Sequence, residues 1–351
     1  MKKLLLLVCI LCVVLASTIR PEGLFKIDLA SGGSFHVFNQ NDSQGLVDFY
    51  LAHLNVPICE DKVCYDVKLV FHWNPVGEFL GFEFSDKDPL TKLDHQPFTL
   101  QDYKKLDDIL KNKDLSFVKI PIKDLVEPKN DSKVDAYSGA TKASIKDEII
   151  EGALFTCYSL WHIAHGAVVD SIQSHTSKVL NKSTVQKLIN ENKLSYHYFL
   201  INTLSVDSLK ENLGSILEII PSSEGYFAKN VMEKFPVTFF ELKIMRDFVI
   251  NNFSTLDYFT QKVILHKLLQ NANVSVLNDF FLDQLEPKNS FHTPYLVQLI
   301  LKSKNKEDLN RLVMKLVKHK MPISGKSYSC LELAAQKYSI SLRGVLKQKS
   351  H

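Results

Sequence analysis

The sequence predicts an α+β domain followed by an all-α domain built from helical repeats. Strand, turn and helix signals are mixed over residues 17–170, whereas strand signals nearly vanish beyond that point. The chain has 351 residues, 45% of them apolar and 23% charged, which is enough for two folded domains and unlike a disordered protein. We therefore predict a signal peptide over 1–16, an α+β domain over 17–170 and a helical domain over 171–351.

The first sixteen residues have the pattern of a secretory signal peptide. Lys2 and Lys3 precede an apolar run over 4–15, and Val14-Leu15-Ala16 offers a small-residue cleavage site. The run is shorter than the ~20 residues that a membrane-spanning helix needs. We expect export through a Sec-type signal to a periplasmic or extracellular location. An uncleaved anchor is the alternative that the same residues allow.

Charge and motif content exclude several function classes. The formal charge is only +3 before Lys2 and Lys3 are removed, and no Lys/Arg stripe is interleaved with aromatic residues. Nucleic acid is therefore not an expected partner. The sequence has neither a nucleophile elbow nor a Gly-x-Gly-x-x-Gly loop, so hydrolysis and dinucleotide binding have no support.

Export changes how the cysteines are interpreted. Cleavage of the signal leaves Cys59, Cys64, Cys157 and Cys330. Cys59 and Cys64, in "CEDKVC", lie beside a strand signal and can form a structural disulfide across a short loop in an oxidising compartment. Two free thiols or a redox-active pair are the alternatives, although the spacing is wider than in a Cys-x-x-Cys motif.

A β-hairpin is predicted early in the first domain. Residues 65–73 ("YDVKLVFHW") and 78–84 flank the turn Asn74-Pro75-Val76-Gly77, and alternation puts one apolar face together. The residues of that face are Val67, Leu69 and Phe71. The hairpin predicts that the first domain contains an antiparallel sheet.

A helix and a further strand are predicted next. Thr99 and Asp102 resemble a capping box, and the apolar residues after them recur at helical spacing. Those apolar residues are Leu106, Ile109 and Leu110. Residues 115–128 ("LSFVKIPIKDLVEP") have strand-like composition and end at a proline.

A small-residue turn, "DAYSGATKAS" over residues 135–144, precedes a predicted helix over 144–165. Ser144 is its expected N-cap, Asp147 occupies the third helical position, and Gly166 is the expected stop. Six apolar residues recur at helical spacing along it: Ile145, Ile149, Ala153, Cys157, Leu160 and Ala164. The turn has an ordinary interpretation as a helix entry.

The ten-residue string also resembles the flavinylation motif of the FMN-binding domain family, which includes flavin subunits of the Na⁺-translocating quinone reductase and the related ferredoxin:NAD oxidoreductase. The matching residues are Asp135, Ser138, Gly139, Ala140, Thr141 and Ser144. Lys142 departs mildly from the pattern. The resemblance implies an FMN-binding-like α+β fold, with FMN on Thr141 through a phosphoester that an FAD-dependent flavin transferase installs.

The residue types suit that chemistry independently of the family. Gly139 and Ala140 leave room for a transferase to reach the Thr141 hydroxyl. A bound phosphate would then lie at the start of the helix predicted over 144–165, where unpaired N–H groups favour an anion. Along that helix, Trp161 is a candidate to stack on the flavin, and His162 and His165 share a face as metal ligands do. The stronger interpretations are a tryptophan in the core and histidines that are hydrogen-bonded or exposed.

The second domain shows a succession of helical segments. Aromatic residues open several of them, near Tyr198, Phe239, Tyr258 and Tyr295, at intervals of roughly 20 or 40 residues. The pattern resembles HEAT-type helical repeats, with a compact bundle as the alternative.

Together these features predict an exported flavoprotein for extracytoplasmic electron transfer rather than an enzyme with its own substrate. Its expected partners are the flavin transferase and a redox protein or membrane electron-transfer complex. Two alternatives stay open. One is a non-catalytic exported scaffold protein whose helical domain binds a partner and whose first domain holds no flavin. The other is a flavin reductase with a small-molecule acceptor between the domains.

Overall fold

The computed structural model describes residues 23–29, 32–60, 63–92, 95–126, 143–270 and 275–348. The chain divides into two compact units between Thr184 and Val185. The first contains an antiparallel sheet with helices and the second contains helices, so the α+β and all-α assignments are confirmed. The predicted signal peptide lies outside the described residues. None of the helices in the described ranges combines the length and hydropathy that crossing a bilayer requires.

The sheet of the first unit is a five-stranded antiparallel meander in which each strand pairs with the next. Its strands are β1 (Phe25–Asp28), β2 (Ser34–Asn41), β3 (Val47–Glu60), β4 (Val63–Trp73) and β5 (Phe79–Glu83). The long β3–β4 ladder is its centre, with Leu54 opposite Leu69 and Val56 opposite Val67. Alternation therefore places one apolar face of both strands towards the core.

The predicted hairpin is confirmed as β4 and β5. Val67, Leu69 and Phe71 are all buried, as the alternation requires. The Asn74 side chain closes the turn by accepting hydrogen bonds from the backbone N–H groups of Val76 and Glu78. Gly77 has φ +83°, and a Cβ there would lie 2.9 Å from a methyl group of Val169, so the turn requires glycine at this position.

Helix α1 (Leu100–Lys111) begins with the predicted capping box. The Thr99 side chain accepts from the Asp102 N–H, and the Asp102 carboxylate accepts from the Thr99 N–H. This pairing satisfies N–H groups that the first helical turn leaves free. The apolar face is also confirmed, because Leu106, Ile109 and Leu110 are buried.

The strand predicted over 115–128 is wrong within the described residues. Two short 3-10 helices, Ser116–Lys119 and Ile122–Asp124, occupy the segment instead. Pro121 separates them and cannot donate to a ladder. Phe117 and Leu125 are buried in the core from these turns. The apolar character of the segment is therefore explained by burial and not by strand pairing.

The helix predicted over 144–165 is interrupted. A 3-10 helix covers Ala143–Glu148, and helix α2 begins only at Leu154, after Gly152 adopts φ +73°. A left-handed residue cannot continue a right-handed helix, so the predicted cap by Ser144 and Asp147 does not start α2. All six predicted apolar positions are nevertheless buried, and α2 ends at Gly166 as expected.

The first unit extends beyond the predicted boundary at residue 170, because that position lies inside helix α3 (Ala167–Val179). Helix α3 packs on the sheet through a buried chain of hydrogen bonds. Tyr50 Oη lies 2.8 Å from both His175 Nδ1 and Thr176 Oγ1, and Thr176 donates to the Pro75 carbonyl at 2.7 Å. These contacts tie α3 to β3 and to the β4–β5 turn.

Counting the available donors assigns which atom donates in each of these three hydrogen bonds. Thr176 has one hydroxyl hydrogen and gives it to the Pro75 carbonyl, so Tyr50 must donate to Thr176. Tyr50 Oη then accepts, and the hydrogen on that bond belongs to His175 Nδ1. Burial raises the pKa of Tyr50, with a smaller opposing effect from the Thr176 hydrogen bond, which keeps the phenol protonated as this arrangement requires.

The second unit consists of helix pairs, here described as leading and trailing helices. The leading helices are α5 (Leu194–Thr203), α8 (Phe227–Lys234), α10 (Tyr258–Gln270), α12 (Thr293–Leu301) and α14 (Gly325–Tyr338). The trailing helices are α6 (Val206–Glu211) with α7 (Leu213–Ile219), α9 (Lys243–Asn252), α11 (Asn278–Gln284) and α13 (Lys306–Lys318). Helix α4 (Lys182–Asn190) precedes them and contains the unit boundary.

Consecutive leading helices pack against one another, and so do α7 with α9 and α11 with α13. The leading helices begin at residues 194, 227, 258, 293 and 325, which are 33, 31, 35 and 32 residues apart. The predicted interval of roughly 20 or 40 residues is therefore wrong. Of the four aromatic markers only Tyr258 begins a leading helix; Tyr198 lies within α5, and Phe239 lies in a 3-10 turn before α9.

Removing the Tyr50 hydroxyl should weaken the attachment of α3 to the sheet. We expect Tyr50→Phe to lower the free energy of unfolding by about 1–3 kcal/mol, because a buried hydrogen-bond chain loses its central member. Denaturant titration measures this, and Tyr158→Phe is the matched control, expected within about 0.5 kcal/mol of the parent. Nitrogen-15 chemical shifts should show hydrogen on His175 Nδ1; a bare Nδ1 at neutral pH would contradict the assigned direction.

The Cys59–Cys64 disulfide stays a prediction, because those side chains lie outside the description, although the two residues are Cα partners across β3 and β4. For a chain starting at Ser17, denaturation without reductant should expose only Cys157 and Cys330 to a thiol reagent. Reduction should add Cys59 and Cys64. Before denaturation only Cys330 should react, because Cys157 is buried and burial raises its thiol pKa to about 12. Four reactive thiols without reductant would exclude the disulfide.

Candidate functional site

Most of the predicted flavinylation motif lies outside the described residues. Asp135, Ser138, Gly139, Ala140 and Thr141 fall within 127–142, which is not described. Ser144 belongs by its backbone to the 3-10 helix Ala143–Glu148, and its side chain is not described. The site is therefore defined by the residues on either side of this segment.

Both ends of the segment are anchored in one apolar core. Leu125 precedes it and is fully buried, and Ile145 and Ile149 follow it with no more than 2% of their surface exposed. All three belong to the cluster beneath the sheet. The described residues on both sides of the segment are therefore held in the core of the first unit.

A polar contact reinforces the returning end. The Glu148 carboxylate accepts hydrogen bonds from Ser116 N and Ser116 Oγ at 2.8 and 2.7 Å. The 3-10 helix that follows the motif is thereby joined to the one at Ser116–Lys119. Phe117, in that second 3-10 helix, is buried and lies 6.3 Å from the Tyr158 ring of α2, measured between ring centroids.

The α-helix that was expected to favour a phosphate at the motif through its N-terminus does not directly follow the motif. The first helical element after the motif is a six-residue 3-10 helix, and α2 starts ten positions later than Ser144. A short 3-10 helix has poorer hydrogen-bond geometry than an α-helix.

An aromatic and imidazole surface runs along the exposed side of α2. It consists of Tyr158, Trp161, His162 and His165, all partly buried. Trp161 Nε1 donates to the Asn112 carbonyl at 2.8 Å, and His165 Nε2 lies 2.7 Å from the Leu110 carbonyl. Both partners belong to the C-terminal end of α1. Trp161 and His165 are therefore fixed by α1.

The proposed pairing of His162 and His165 as metal ligands gains nothing from the structure. His165 donates its Nε2–H to a carbonyl, since a carbonyl only accepts, so that nitrogen is occupied. Within the described ranges, no group of three or more His, Cys, Asp or Glu side chains is placed to hold a metal ion.

His162 differs from its neighbours on α2. Its Nε2 is buried and has no hydrogen-bond partner in the described part of the protein. The ring lies 4.3 Å from Tyr158 and 5.2 Å from Trp161 between centroids. Burial lowers the pKa of His162, and the neighbouring His165 lowers it further, so the imidazole is neutral at pH 7.

The sequence interpretation overlooked a groove of about 930 Å³ on the other face of the sheet. Its lining includes His36 and Phe38 of β2 and Leu51, His53 and Asn55 of β3. Phe38 and His53 contact edge to face at 6.4 Å. The signal was present as the alternation in "SFHVFNQN", which puts imidazole, aromatic and amide side chains on the face opposite the core.

No family model, curated protein or solved structure matches this chain. The resemblance to the FMN-binding domain therefore rests on the residues of the motif itself.

The half-buried histidines should make the protein less stable in mild acid. Burial lowers the folded-state pKa values of His162, His165, His175 and His292, so the unfolded chain binds protons first as pH falls below about 6.5. The stability that these neutral histidines contribute is complete above about pH 6.5 and is lost as pH falls through the folded-state values. Unfolding free energies at pH 7.5 and 5.5 measure this, and equal or greater stability at pH 5.5 would contradict it. His162→Gln should reduce the pH dependence.

Proposed function

We propose that the protein is an exported flavoprotein that carries FMN covalently on Thr141 and transfers electrons outside the cytoplasm. The observation that carries the proposal is the string "DAYSGATKAS", in which six positions match the flavinylation motif. Two features of the fold support it: both ends of the motif segment are anchored in the core, and an aromatic surface lies along α2.

The attachment step is a phosphoryl-type transfer from FAD. The Thr141 oxygen forms a bond to the FMN phosphorus of FAD, the pyrophosphate bond breaks, AMP leaves, and the hydroxyl proton is released. The transferase supplies the catalytic groups, so this chain needs only a reachable hydroxyl between small neighbours. Gly139 and Ala140 provide that freedom of approach.

Two side chains of α2 suit a planar ring with polar edges. Trp161 offers a partly exposed aromatic face, and His162 Nε2 is a buried polar atom without a partner among the described residues. FMN supplies the redox chemistry when bound, while the protein tethers and surrounds it. A carrier between a membrane complex and an extracytoplasmic acceptor suits a covalent tether, because the flavin cannot be lost after export.

The second unit is proposed to be a HEAT-like helical-repeat domain. Paired helices and the packing of successive leading helices support this. Its spacing of 31–35 residues is shorter than the ~40–47 of HEAT repeats and closer to the ~33–34 of other helix-pair repeats. The shorter unit has the same consequence, a continuous core between neighbouring pairs.

Covalent flavin is tested by co-expressing the chain with an FAD-dependent flavin transferase. After denaturation and gel electrophoresis, the wild-type band should show flavin fluorescence, and its intact mass should increase by one FMN minus one water. Thr141→Ala should abolish both signals. Thr238→Ala removes the hydroxyl of an exposed threonine outside the motif; it is the matched control and should keep both signals.

The outcomes distinguish a wrong attachment site from a wrong function. A wild-type chain without covalent flavin under these conditions contradicts the proposed function. Flavin that survives denaturation on Thr141→Ala contradicts the site and leaves the flavoprotein assignment standing.

A non-catalytic scaffold is the second candidate, and an exposed aromatic cluster in the second unit favours it. Tyr226 is 64% exposed, Phe259 52% and Phe291 74%. Tyr226 contacts Phe259, and Tyr258 contacts both Phe259 and Phe291, with ring centroids 5.4–6.4 Å apart. Exposed aromatic residues in contact with each other are typical of protein-binding surfaces. A wild-type chain that stays free of flavin in the experiment above would favour this function.

A further inference from the structure

Positive charge is concentrated in the last part of the sequence. Residues 309–351 contain nine Lys or Arg and one acidic residue, Glu332, so this stretch has a formal charge of +8. The whole chain has only +3, which leaves the preceding residues with −5. Charge that is separated in this way along a sequence indicates a surface for an anionic partner.

The fold presents several of these cations around the connection between α13 and α14 in the second unit. Lys318 is the last residue of α13, Lys320 follows it, and Lys326 lies in the first turn of α14. All three side chains are exposed. The connection between the two helices therefore presents three ammonium groups to solvent.

The residues after α14 return to this connection. The Ile323 N–H donates to the Leu346 carbonyl at 3.0 Å, and the Gln348 N–H donates to the Ile323 carbonyl at 2.8 Å. A Cβ at Gly325 would lie 3.5 Å from Lys347 Cε, so the Lys347 side chain passes the start of α14. Backbone pairing thereby adds a fourth cation to the connection.

A fifth cation comes from the same returning segment. A Cβ at Gly344 would lie 3.3 Å from a methyl group of Val317, so the backbone next to Arg343 runs beside the end of α13. Arg343 and Lys347 are both exposed. The five cations around the connection are here called the basic surface: Lys318, Lys320, Lys326, Arg343 and Lys347.

The charge of the basic surface is not compensated locally. Two other cations of α13 are paired with α11, since Arg311 forms an ion pair with Asp279 and Lys315 forms one with Asp283 at 3.3 Å. Within the described ranges, none of the five cations of the basic surface forms an ion pair. Their charge is therefore available to a partner.

Exposed apolar side chains stand among the cations. Met314, 67% exposed, lies one turn before Lys318 on α13. Leu346, 46% exposed, directly precedes one of the basic residues. Leu333, 69% exposed, lies two turns after Lys326, on the same side of α14. Separate apolar side chains between cations can enter the interfacial region of a bilayer.

We propose that the basic surface docks on a membrane that contains anionic lipids. The cations would lie at the lipid phosphates, and Met314, Leu333 and Leu346 would enter the headgroup region. Each Lys or Arg near an anionic leaflet strengthens binding about fivefold, and burial of the apolar side chains adds to this. Such docking goes beyond the proposed function and does not depend on the flavin.

The residue types favour a lipid over other anionic partners. Four of the five cations are lysines, a residue type that is depleted at protein–protein interfaces. A nucleic-acid backbone would use the cations but would leave the three exposed apolar side chains without a role. The Tyr328 ring, which could stack on a base, has Lys347 Nζ over it at 5.5 Å from the ring centroid.

Co-sedimentation with vesicles tests the proposal on the chain that starts at Ser17. Vesicles of phosphatidylcholine mixed with phosphatidylglycerol should bind the protein, whereas vesicles of phosphatidylcholine alone should leave it in solution. Binding to the mixed vesicles should weaken as salt is raised, because salt screens the cations. Equal binding to both kinds of vesicle, or binding to neither, overturns the proposal.

A charge variant tests whether the basic surface carries the binding. Four of its cations are changed: Lys320→Gln, Lys326→Gln, Arg343→Gln and Lys347→Gln. The affinity for the mixed vesicles should fall on the order of 100-fold. The matched control removes the same charge from four exposed lysines of the first unit: Lys87→Gln, Lys104→Gln, Lys123→Gln and Lys146→Gln. An equal loss in both variants would assign the binding to net charge and overturn the proposal.

An apolar variant distinguishes a lipid from a soluble polyanion. Leu333→Ser keeps every charge and should weaken binding to the mixed vesicles about tenfold, because a side chain that enters the headgroup region is lost. Leu100→Ser, at an 81% exposed position of the first unit, is the matched control and should bind like the parent. An unchanged affinity in Leu333→Ser, or tighter binding of duplex DNA than of the mixed vesicles, overturns the lipid assignment.

These outcomes are separate from those of the flavin experiment. A chain that carries no flavin but binds the mixed vesicles contradicts the proposed function and supports the docking surface. A flavinylated chain that ignores the vesicles does the reverse. If the charge variant fails to fold, the vesicle comparison with the wild-type chain and the Leu333→Ser variant still decide.

Discussion

The burial of one face of the β3–β4 ladder is the interaction on which the first unit depends. Val56, Val67 and Phe71 from that face are essentially inaccessible, and each such side chain contributes about 1.5–3 kcal/mol on burial. Helices α1, α2 and α3 have to cover this face. The hydrogen bonds from Tyr50 to Thr176 and from Thr176 to Pro75 then fix α3 on this face. Apolar burial therefore holds the helices against the sheet, and the directional bonds determine where α3 lies on it.

The sequence predicted the elements whose signals are local and failed where the signal reports burial. Alternation identified the β4–β5 hairpin, and Thr99 with Asp102 identified the start of α1, because both patterns act within a few residues. The spacing from Ile145 to Ala164 correctly marks buried positions, yet Gly152 breaks the helix that the spacing suggests. The apolar residues Phe117 and Leu125, from the segment predicted as a strand, are likewise buried but belong to 3-10 turns. Burial alone does not specify backbone conformation.

The two histidines of α2 show what sequence spacing leaves undecided about a site. His162 and His165 are three positions apart and look equivalent in the sequence. The Leu110 carbonyl, 55 positions away from His165, accepts a hydrogen bond from His165 Nε2, whereas His162 Nε2 has no partner among the described residues. That distinction arises from the docking of α1 against α2, which no local pattern encodes.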